Sequence, residues 1–222
     1  MMARLGYERY GAQGGDWGAG VSIALAIIDS DHVLGIHINH PGFDGGGRPE
    51  KNLWEGVPES ERERRENRRL ELTAHWGYGS IQGSRPQTLA YSLNDSPVGL
   101  AAWILDKFHA WSDHDGDLDS AFDREVLMDN IMIYWLTQSL PSSVRVYFEK
   151  ENRTLDTDNF SVPIGAALFP KEISLPPRRW FEGKYGNNVK QYNAMPQGGH
   201  FAAMEEPELL IEEIRSFFDG LN

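Results

Sequence analysis

Three segments of the sequence carry residues that could perform nucleophilic chemistry on carbon, and the first is Gly14-Gly15-Asp16-Trp17-Gly18. A tight strand-to-helix turn requires small residues around its centre, because the neighbouring backbone passes close and the central residue is strained. An aspartate at that centre could attack carbon and form an ester, and the helix N-terminus behind it would favour the anion. A glycine-rich turn in which Asp16 only caps the helix fits the same pattern.

A histidine and an acid near the C-terminus could complete the chemistry begun by Asp16. His200, in Gly198-Gly199-His200-Phe201, follows the last predicted strand and precedes the last predicted helix, and this position favours it over the other histidines. His40, which ends the second predicted strand, is a weaker candidate. A histidine base needs an orienting carboxylate, and Glu172 lies in the loop after the third predicted strand. The rival acids are Asp156, Asp158 and Glu182.

The elements that must position these residues follow from hydrophobic periodicity. Alternating or buried β-branched runs predict four strands, at residues 7–13, 32–39, 160–168 and 189–194. Apolar and charged helical patterns predict helices at residues 21–28, 59–75, 97–105, 125–136 and 205–218. Asp95 or Ser96 caps the third of these helices, with Pro97 in its first position. The order of elements predicts an α/β fold with a mostly parallel sheet and an inserted helical lid.

The lid divides the sheet domain in the sequence. We expect residues 1–43 and 156–222 to form the α/β core and residues 44–155 to form the helical lid insertion. The triple glycine Gly45–Gly47 lacks the spacing of a dinucleotide-binding loop and suits a hinge into the lid. Residues Asp113–Asp119 resemble a calcium loop, but the glycine and glutamate that such a loop needs are missing, so no metal site is predicted.

Composition excludes several classes of function. The chain has 222 residues, a formal net charge of −12 and no cysteine. A chain this acidic is poorly suited to nucleic acid or an anionic membrane surface, and without cysteine it has no disulfide, thiolate metal site or cysteine nucleophile. No apolar run has the length of a signal peptide or a membrane span, so the sequence predicts a cytoplasmic chain with no membrane anchor.

Longer segments of the sequence resemble those of a known protein family. The chain order Asp16, Glu172, His200 matches the order of nucleophile, acid and base in α/β-hydrolases. Beyond these positions, the sequence resembles epoxide hydrolases of the microsomal type, a family that includes the insect juvenile hormone epoxide hydrolases. The segments that carry the resemblance are Gly11–Gly18, Ser92–Asp113, Asp129–Trp135, Ala167–Glu172 and Gln197–Leu210.

The resemblance implies an enzyme that uses water to open hydrophobic epoxides to vicinal diols without a cofactor. Asp16 matches the nucleophile, His200 the base that activates water, and Glu172 the acid partner of that base. The backbone N–H of Trp17 would supply half of an oxyanion hole.

Two tyrosines of the lid have a role in the same family, since an epoxide oxygen needs a proton donor when the ring opens. Tyr78 and Tyr147 stand at the matching positions, and Tyr91 and Tyr134 are alternatives in contexts more typical of packing. Aromatic side chains that would line a substrate pocket are Phe43, Trp76, Trp103 and Phe201.

The sequence departs from the family at its start. Only 15 residues precede Asp16, whereas four earlier strands with their connections would take about 100 residues. The His-Gly-x-Pro segment that would complete the oxyanion hole is absent. Three alternatives follow: an active epoxide hydrolase, an inactive truncated remnant that exposes a strand edge and forms a homodimer, or another hydrolase with an Asp nucleophile, such as a haloalkane dehalogenase. The paired tyrosines argue against the last, because halide release needs N–H donors.

Overall fold

The structure is a computed structural model that describes residues 1–42, 47–49, 51–150 and 160–221. Phe43, Asp156 and Asp158 lie outside the described residues. The chain divides into two compact units. The first comprises Met1–Leu70 and Asp156–Asn222, and the second is Glu71–Leu155.

The strands of the first unit form one parallel sheet. They are β1 (Tyr10–Gly14), β2 (Val33–Ile38), β3 (Ile164–Leu168) and β4 (Val189–Ala194), and they lie in the order β1-β2-β3-β4. Because the strands are parallel, their carboxyl ends meet at one edge of the sheet, and so do the loops that follow them. The predicted site residues Asp16, Glu172 and His200 all belong to those loops.

α-Helices connect and follow these strands along the chain. They are α1 (Trp17–Ile28), α2 (Glu59–Glu71), α3 (Gly77–Ser84), α4 (Pro86–Leu93), α5 (Pro97–Trp111), α6 (Arg124–Thr137), α7 (Leu140–Lys150), α8 (Arg178–Tyr185), α9 (Ala202–Glu205) and α10 (Pro207–Asp219). Within the part of the chain that the structure describes, none of them combines the length and the apolar character needed to cross a bilayer.

Alternate residues of β3 face two different helical layers. Ala166 and Leu168 belong to a buried cluster with side chains of α1 and α8, whereas Ala167 packs against α9 and α10. Gly165 also faces α10, where an added Cβ would lie 2.5 Å from the ring of Phe217. Helices therefore cover both faces of β3, as expected for a strand in an all-parallel sheet.

A buried arginine ties helix α2 to the sheet. The surface of α2 is mostly charged, yet Arg68 is only 6% exposed. Its Nε donates a 3.1 Å hydrogen bond to the carbonyl oxygen of Glu172, and its Nη2 donates to the carbonyl oxygen of Lys171. Arg68 therefore supports the loop that carries the predicted acid.

The first unit reaches further along the sequence than the predicted core of residues 1–43. Contacts group residues up to Leu70 with the sheet, whereas the predicted lid begins at residue 44. Besides Arg68, Trp180 of α8 contributes to this grouping, because its Nε1 donates a 2.8 Å hydrogen bond to the carbonyl oxygen of Leu53. The charged pattern of α2 suggested a solvated helix and did not indicate these contacts.

Loss of the Arg68 side chain is expected to destabilise the first unit. Arg68→Leu removes the donor to the buried carbonyl oxygen of Glu172 and to the partly buried one of Lys171, so we expect the free energy of unfolding to fall by about 2–3 kcal/mol. Urea denaturation followed by circular dichroism measures the change. The control is Arg62→Leu in the same helix, where the side chain is 49% exposed and the expected loss is below about 0.5 kcal/mol. Equal losses in the two variants would contradict the structural role of Arg68.

The second unit is helical. Helices α4 to α7 share a buried cluster that includes Leu100, Ile131 and Val144. The predicted start of α5 is confirmed: Pro97 occupies its first turn, and the Ser96 hydroxyl accepts a 3.0 Å hydrogen bond from the backbone N–H of Gly99. Three helices of this unit, α3, α4 and α7, were not predicted.

Candidate active site

The predicted nucleophile occupies a strained turn between β1 and α1. Asp16 has φ 45° and ψ −126°, in a region that side chains other than glycine rarely adopt. The turn is tight because backbone segments approach closely, and a Cβ on Gly14 would lie 2.1 Å from the carbonyl oxygen of Gly18. This is the geometry expected of a nucleophile elbow, which presents its central side chain beyond the end of the strand.

Three predicted side chains meet at the carboxyl edge of the sheet. His200 Nε2 lies 3.5 Å from Asp16 Oδ2, and His200 Nδ1 donates a 2.7 Å hydrogen bond to Glu172 Oε1. The Asp16 side chain is 46% exposed, whereas Glu172 is fully buried. The imidazole thus links an accessible carboxylate to a buried one.

Backbone contacts hold the loops of Glu172 and His200 in register. The N–H of Lys171 donates a 3.1 Å hydrogen bond to the carbonyl oxygen of Gly198, and Lys171 forms a parallel bridge with Gly199. Glu172 Oε1 also accepts a 2.5 Å hydrogen bond from the N–H of Ile173. The main chain therefore preorganises the predicted acid and base.

Electrostatics favour the charged forms of this acid and base. Burial alone would raise the pKa of Glu172, but the imidazoles of His200 and His40 and the two hydrogen bonds to Oε1 lower it. Burial likewise disfavours a charged His200, yet the carboxylates of Glu172 and Asp16 raise its pKa to about 10. Both carboxylates therefore favour the imidazolium form of His200, and the imidazole of His200 in turn favours ionised Glu172.

The rival histidine His40 lies beside this pair. Its Nε2 is 4.0 Å from Glu172 Oε1, and its ring is nearly perpendicular to the ring of His200, with centroids 5.5 Å apart. His40 is buried and follows the carboxyl end of β2. The structure therefore brings both candidate histidines to one acid. The remaining rival acid, Glu182, accepts a 2.6 Å hydrogen bond from Arg178 on the surface of α8.

In the second unit, the two predicted tyrosines are neighbours. The rings of Tyr78 in α3 and Tyr147 in α7 have centroids 5.8 Å apart, and Lys107 Nζ lies 4.9 Å above the ring of Tyr78. The alternatives differ, because Tyr91 is 72% exposed and Tyr134 packs into the helical cluster. The helical unit thus places two phenol rings and a cation together.

Several known proteins are similar in sequence to this chain. No protein-family model matches the chain. The chain is 39% identical over 244 residues to epoxide hydrolase 1 of Oryctolagus cuniculus, a match that covers 98% of this chain and 52% of that protein. It is 38% identical over 242 residues to juvenile hormone epoxide hydrolase 2 of Ctenocephalides felis, covering 97% and 50%.

A solved structure extends the likeness to three dimensions. The juvenile hormone epoxide hydrolase of the silkworm Bombyx mori superposes with a TM-score of 0.82 and 31% identity, over 99% of this chain and 56% of that one. The chain is an epoxide hydrolase-like protein with the α/β-hydrolase fold. The predicted family and fold are confirmed, and the chain spans about half the length of the curated relatives it matches.

The predicted pocket residues of this epoxide hydrolase-like chain fall in both units. In the first, Trp17 begins α1, and the ring of Phe201 stands nearly perpendicular to that of His200 with centroids 5.1 Å apart. In the second, Trp76 stacks on Tyr78, and Trp103 borders a cavity of about 480 Å³ together with Tyr78 and Lys107. Phe43 lies outside the described residues.

The calcium-like loop has a structural use. Asp119 pairs with Arg124, and Asp117 accepts a 3.1 Å hydrogen bond from the backbone N–H of Asp119. Within the described residues, this loop does not bring three metal-ligating side chains together. Its acids are therefore used in capping and ion pairing.

The raised pKa of His200 predicts how stability depends on pH. A folded-state pKa above the unfolded value of about 6.5 means that the contribution is fully present below about pH 6.5 and is lost as pH rises toward about 10. The lowered pKa of Glu172 acts at the acid side, where its contribution disappears as pH falls through the folded-state value.

We therefore expect the stability difference between the unmodified chain and His200→Gln to shrink between about pH 6.5 and 10. Urea denaturation at several pH values measures it. His32→Gln is the control, since His32 is exposed and pairs only locally with Asp29. A difference that stays constant over this range would contradict the ion pair.

Proposed function

We propose that this chain hydrolyses epoxides to vicinal diols through an ester on Asp16. The observation that carries the proposal is the line from the Asp16 carboxylate at a strained elbow to His200 and then to buried Glu172. An aspartate at this point attacks carbon directly, and the histidine remains available for water. The epoxide hydrolase names of the relatives support the same chemistry.

The first step opens the ring. An Asp16 oxygen attacks one epoxide carbon, the carbon–oxygen bond breaks, and the hydroxyl of Tyr78 or Tyr147 gives its proton to the leaving oxygen. The closeness of the two phenols supports a shared role in holding the epoxide oxygen. The product is a hydroxyalkyl ester on Asp16.

The second step hydrolyses that ester. His200 removes a proton from water, the hydroxide attacks the carbonyl carbon of Asp16, and the N–H of Trp17 stabilises the oxyanion. The alkoxide of the diol leaves and takes the proton from His200. The new carboxylic acid on Asp16 returns its proton to the tyrosinate. His200 recovers from bulk water the proton that it released before this step, so the chain regains its starting state.

Ester formation itself prepares His200 to act as a base. Before the reaction, the Asp16 carboxylate is one of the groups that raise the pKa of His200. Once Asp16 is an uncharged ester, that contribution disappears and burial opposes the imidazolium more strongly. His200 then loses its proton to bulk water more readily, so formation of the ester favours the neutral imidazole that the second step needs.

An isotope experiment tests this proposal. The purified chain is mixed with a substoichiometric amount of styrene oxide in water enriched in ¹⁸O, so that each site turns over at most once. The ester route predicts that the diol carries ordinary oxygen while the Asp16 peptide gains the heavy isotope, both read by mass spectrometry. Label in the diol alone indicates direct attack by water, and the absence of diol from a folded chain also rejects the proposal.

The tyrosines are tested by removing their hydroxyls. We expect Tyr78→Phe or Tyr147→Phe to slow ester formation about 10²-fold, because each removes a proton or hydrogen-bond donor to the epoxide oxygen. Rapid-quench mass spectrometry of the chain that carries the hydroxyalkyl ester measures the rate. Tyr91→Phe is the matched control and should leave it unchanged, since Tyr91 is 72% exposed. A normal rate in both test variants would exclude them as donors.

We also propose a second copy of the chain as a partner. Strand β1 is the terminal strand of the described sheet, and the exposed side chains of Tyr7 and Val21 line a groove of about 670 Å³ with Tyr10 and Leu25. Edge strands and apolar grooves of this kind favour association. Light scattering after size-exclusion chromatography tests the proposal, and a monomer at micromolar concentration rejects it.

A further inference from the structure

Three metal-ligating side chains converge next to the carboxyl ends of three strands. His40 follows β2, Glu172 follows β3 and His200 follows β4, and all three are buried. One ligand atom from each lies within 4.8 Å of the other two. Because each side chain comes from a different loop at the same sheet edge, their arrangement is fixed by the fold.

The distances fit a small cation with little movement. His200 Nδ1 is 2.7 Å and His40 Nε2 is 4.0 Å from Glu172 Oε1. Zinc binds imidazole nitrogen and carboxylate oxygen at about 2.0–2.2 Å, which puts neighbouring ligands of a tetrahedral site roughly 3.3 Å apart. A slight approach of His40 and a slight opening of the His200–Glu172 pair would reach that spacing.

An unsatisfied oxygen is the second observation. Glu172 is fully buried, and its Oε2 has no hydrogen-bond partner among the residues that the structure describes. Buried carboxylate oxygens are rarely left in this way, because losing water without gaining a partner is costly. A cation bound by both carboxylate oxygens of Glu172 would give Oε2 a partner.

We propose that His40, Glu172 and His200 form a binding site for zinc or a divalent cation of similar preference. Two imidazoles and one carboxylate are a typical donor set for zinc, with the fourth position left to water, whereas calcium and magnesium prefer oxygen ligands alone. The Asp16 carboxylate lies 3.5 Å from His200 Nε2, the nitrogen that faces away from Glu172, and is partly exposed.

Occupancy of this site would block the second step of the proposed reaction. The metal would be coordinated by His200 Nδ1 and by the carboxylate of Glu172. It would therefore replace the proton that these two groups share. The carboxylate of Asp16 stays free to attack. Resting on the proposed function, the inference is therefore that zinc slows hydrolysis of the ester and makes it accumulate.

Cobalt provides a readout that does not depend on turnover. Titrating the tag-free chain with Co²⁺ should give one equivalent of a four-coordinate site with strong visible absorption, and one equivalent of Zn²⁺ should abolish that absorption. Zinc should also raise the thermal midpoint, since it binds the folded chain. Absence of both effects at millimolar metal overturns the proposal.

Variants locate the site. We expect Glu172→Gln and His40→Gln each to weaken cobalt binding at least tenfold, because each removes a ligand. The matched control is the double variant His109→Gln/His114→Gln, which removes the other close histidine pair, with ring centroids 4.6 Å apart. This control should bind as the unmodified chain does. Loss of binding in the control, or unchanged binding in His40→Gln, overturns the assignment.

Folding and function are controlled separately. Circular dichroism shows which variants fold, and if a variant does not, paramagnetic broadening of the His40 and His200 ring resonances by Co²⁺ in the unmodified chain tests the site directly. Broadening confined to other histidines rejects the site. Cobalt binding by a chain that forms no diol supports the site and rejects the proposed function. Diol formation by a chain that binds no cobalt supports the proposed function and rejects the metal site.

Discussion

Asp16→Ala is expected to lower the rate of diol formation by a factor on the order of 10⁴ or more. Alanine removes the carboxylate that forms the ester, and neither His200 nor the tyrosines can replace a nucleophile on carbon. The backbone should keep its shape, since alanine has the same difficulty with φ 45° that aspartate has. Chromatography of the diol made from styrene oxide measures the loss.

The control for Asp16→Ala is Asp31→Ala. Asp31 is exposed in the turn between α1 and β2, so its removal changes the net charge equally and leaves the site intact. If the Asp16 variant kept a rate within tenfold of the unmodified chain, attack by water without an ester would be the better mechanism.

His200→Gln is expected to trap the ester. Asp16 can still attack, because that step needs no base, but the loss of the imidazole slows hydrolysis of the ester by about 10³-fold or more. The mass of the intact chain should increase by that of one epoxide molecule, and peptide mapping should place the addition on Asp16. Glutamine retains a polar side chain of similar size, which limits disturbance around buried Glu172.

Two further variants serve as controls for the His200→Gln experiment. The double variant Asp16→Ala/His200→Gln should show no added mass, because the attacking carboxylate is gone. His32→Gln, a change in an exposed histidine, should turn over without accumulating an adduct. An adduct on a residue other than Asp16 would contradict the assigned nucleophile.

The sheet could be predicted from sequence because its strands are buried and its turns are marked by glycine. The strand at Val189–Ala194 was predicted with the observed limits, and the predicted strand at residues 160–168 begins later, at Ile164 after Pro163. A proline lacks the N–H that a central strand uses, so the strand starts after it.

The helices were predicted less completely. The segment at Gly77–Ser84 was not predicted because it contains several glycines and little apolar periodicity. Helix α1 was predicted from residue 21 but begins at Trp17. Its start was missed because its first turn is largely glycine and alanine. Such segments become helical through packing in the folded chain, which propensity and periodicity do not reveal.

Prediction of the candidate site had a similar limit. Asp16, Glu172 and His200 could be chosen because each follows a predicted strand, and strand topology alone brings such positions together. Arg68 could not be chosen, since it is one of several arginines in a charged helix and only the folded chain shows that it is buried. The proximity of His40 to Glu172 likewise depends on the register of β2 and β3.

The left-handed backbone at Asp16 limits how this chain can evolve or be engineered. Glycine would adopt that conformation without strain, so the substitution that relaxes the turn is also the one that removes the proposed nucleophile. Under the proposed function, selection for thermal stability alone would therefore favour chains that have lost the reaction. A more stable chain that keeps Asp16 must gain its stability at other positions, and the strain at this turn must remain.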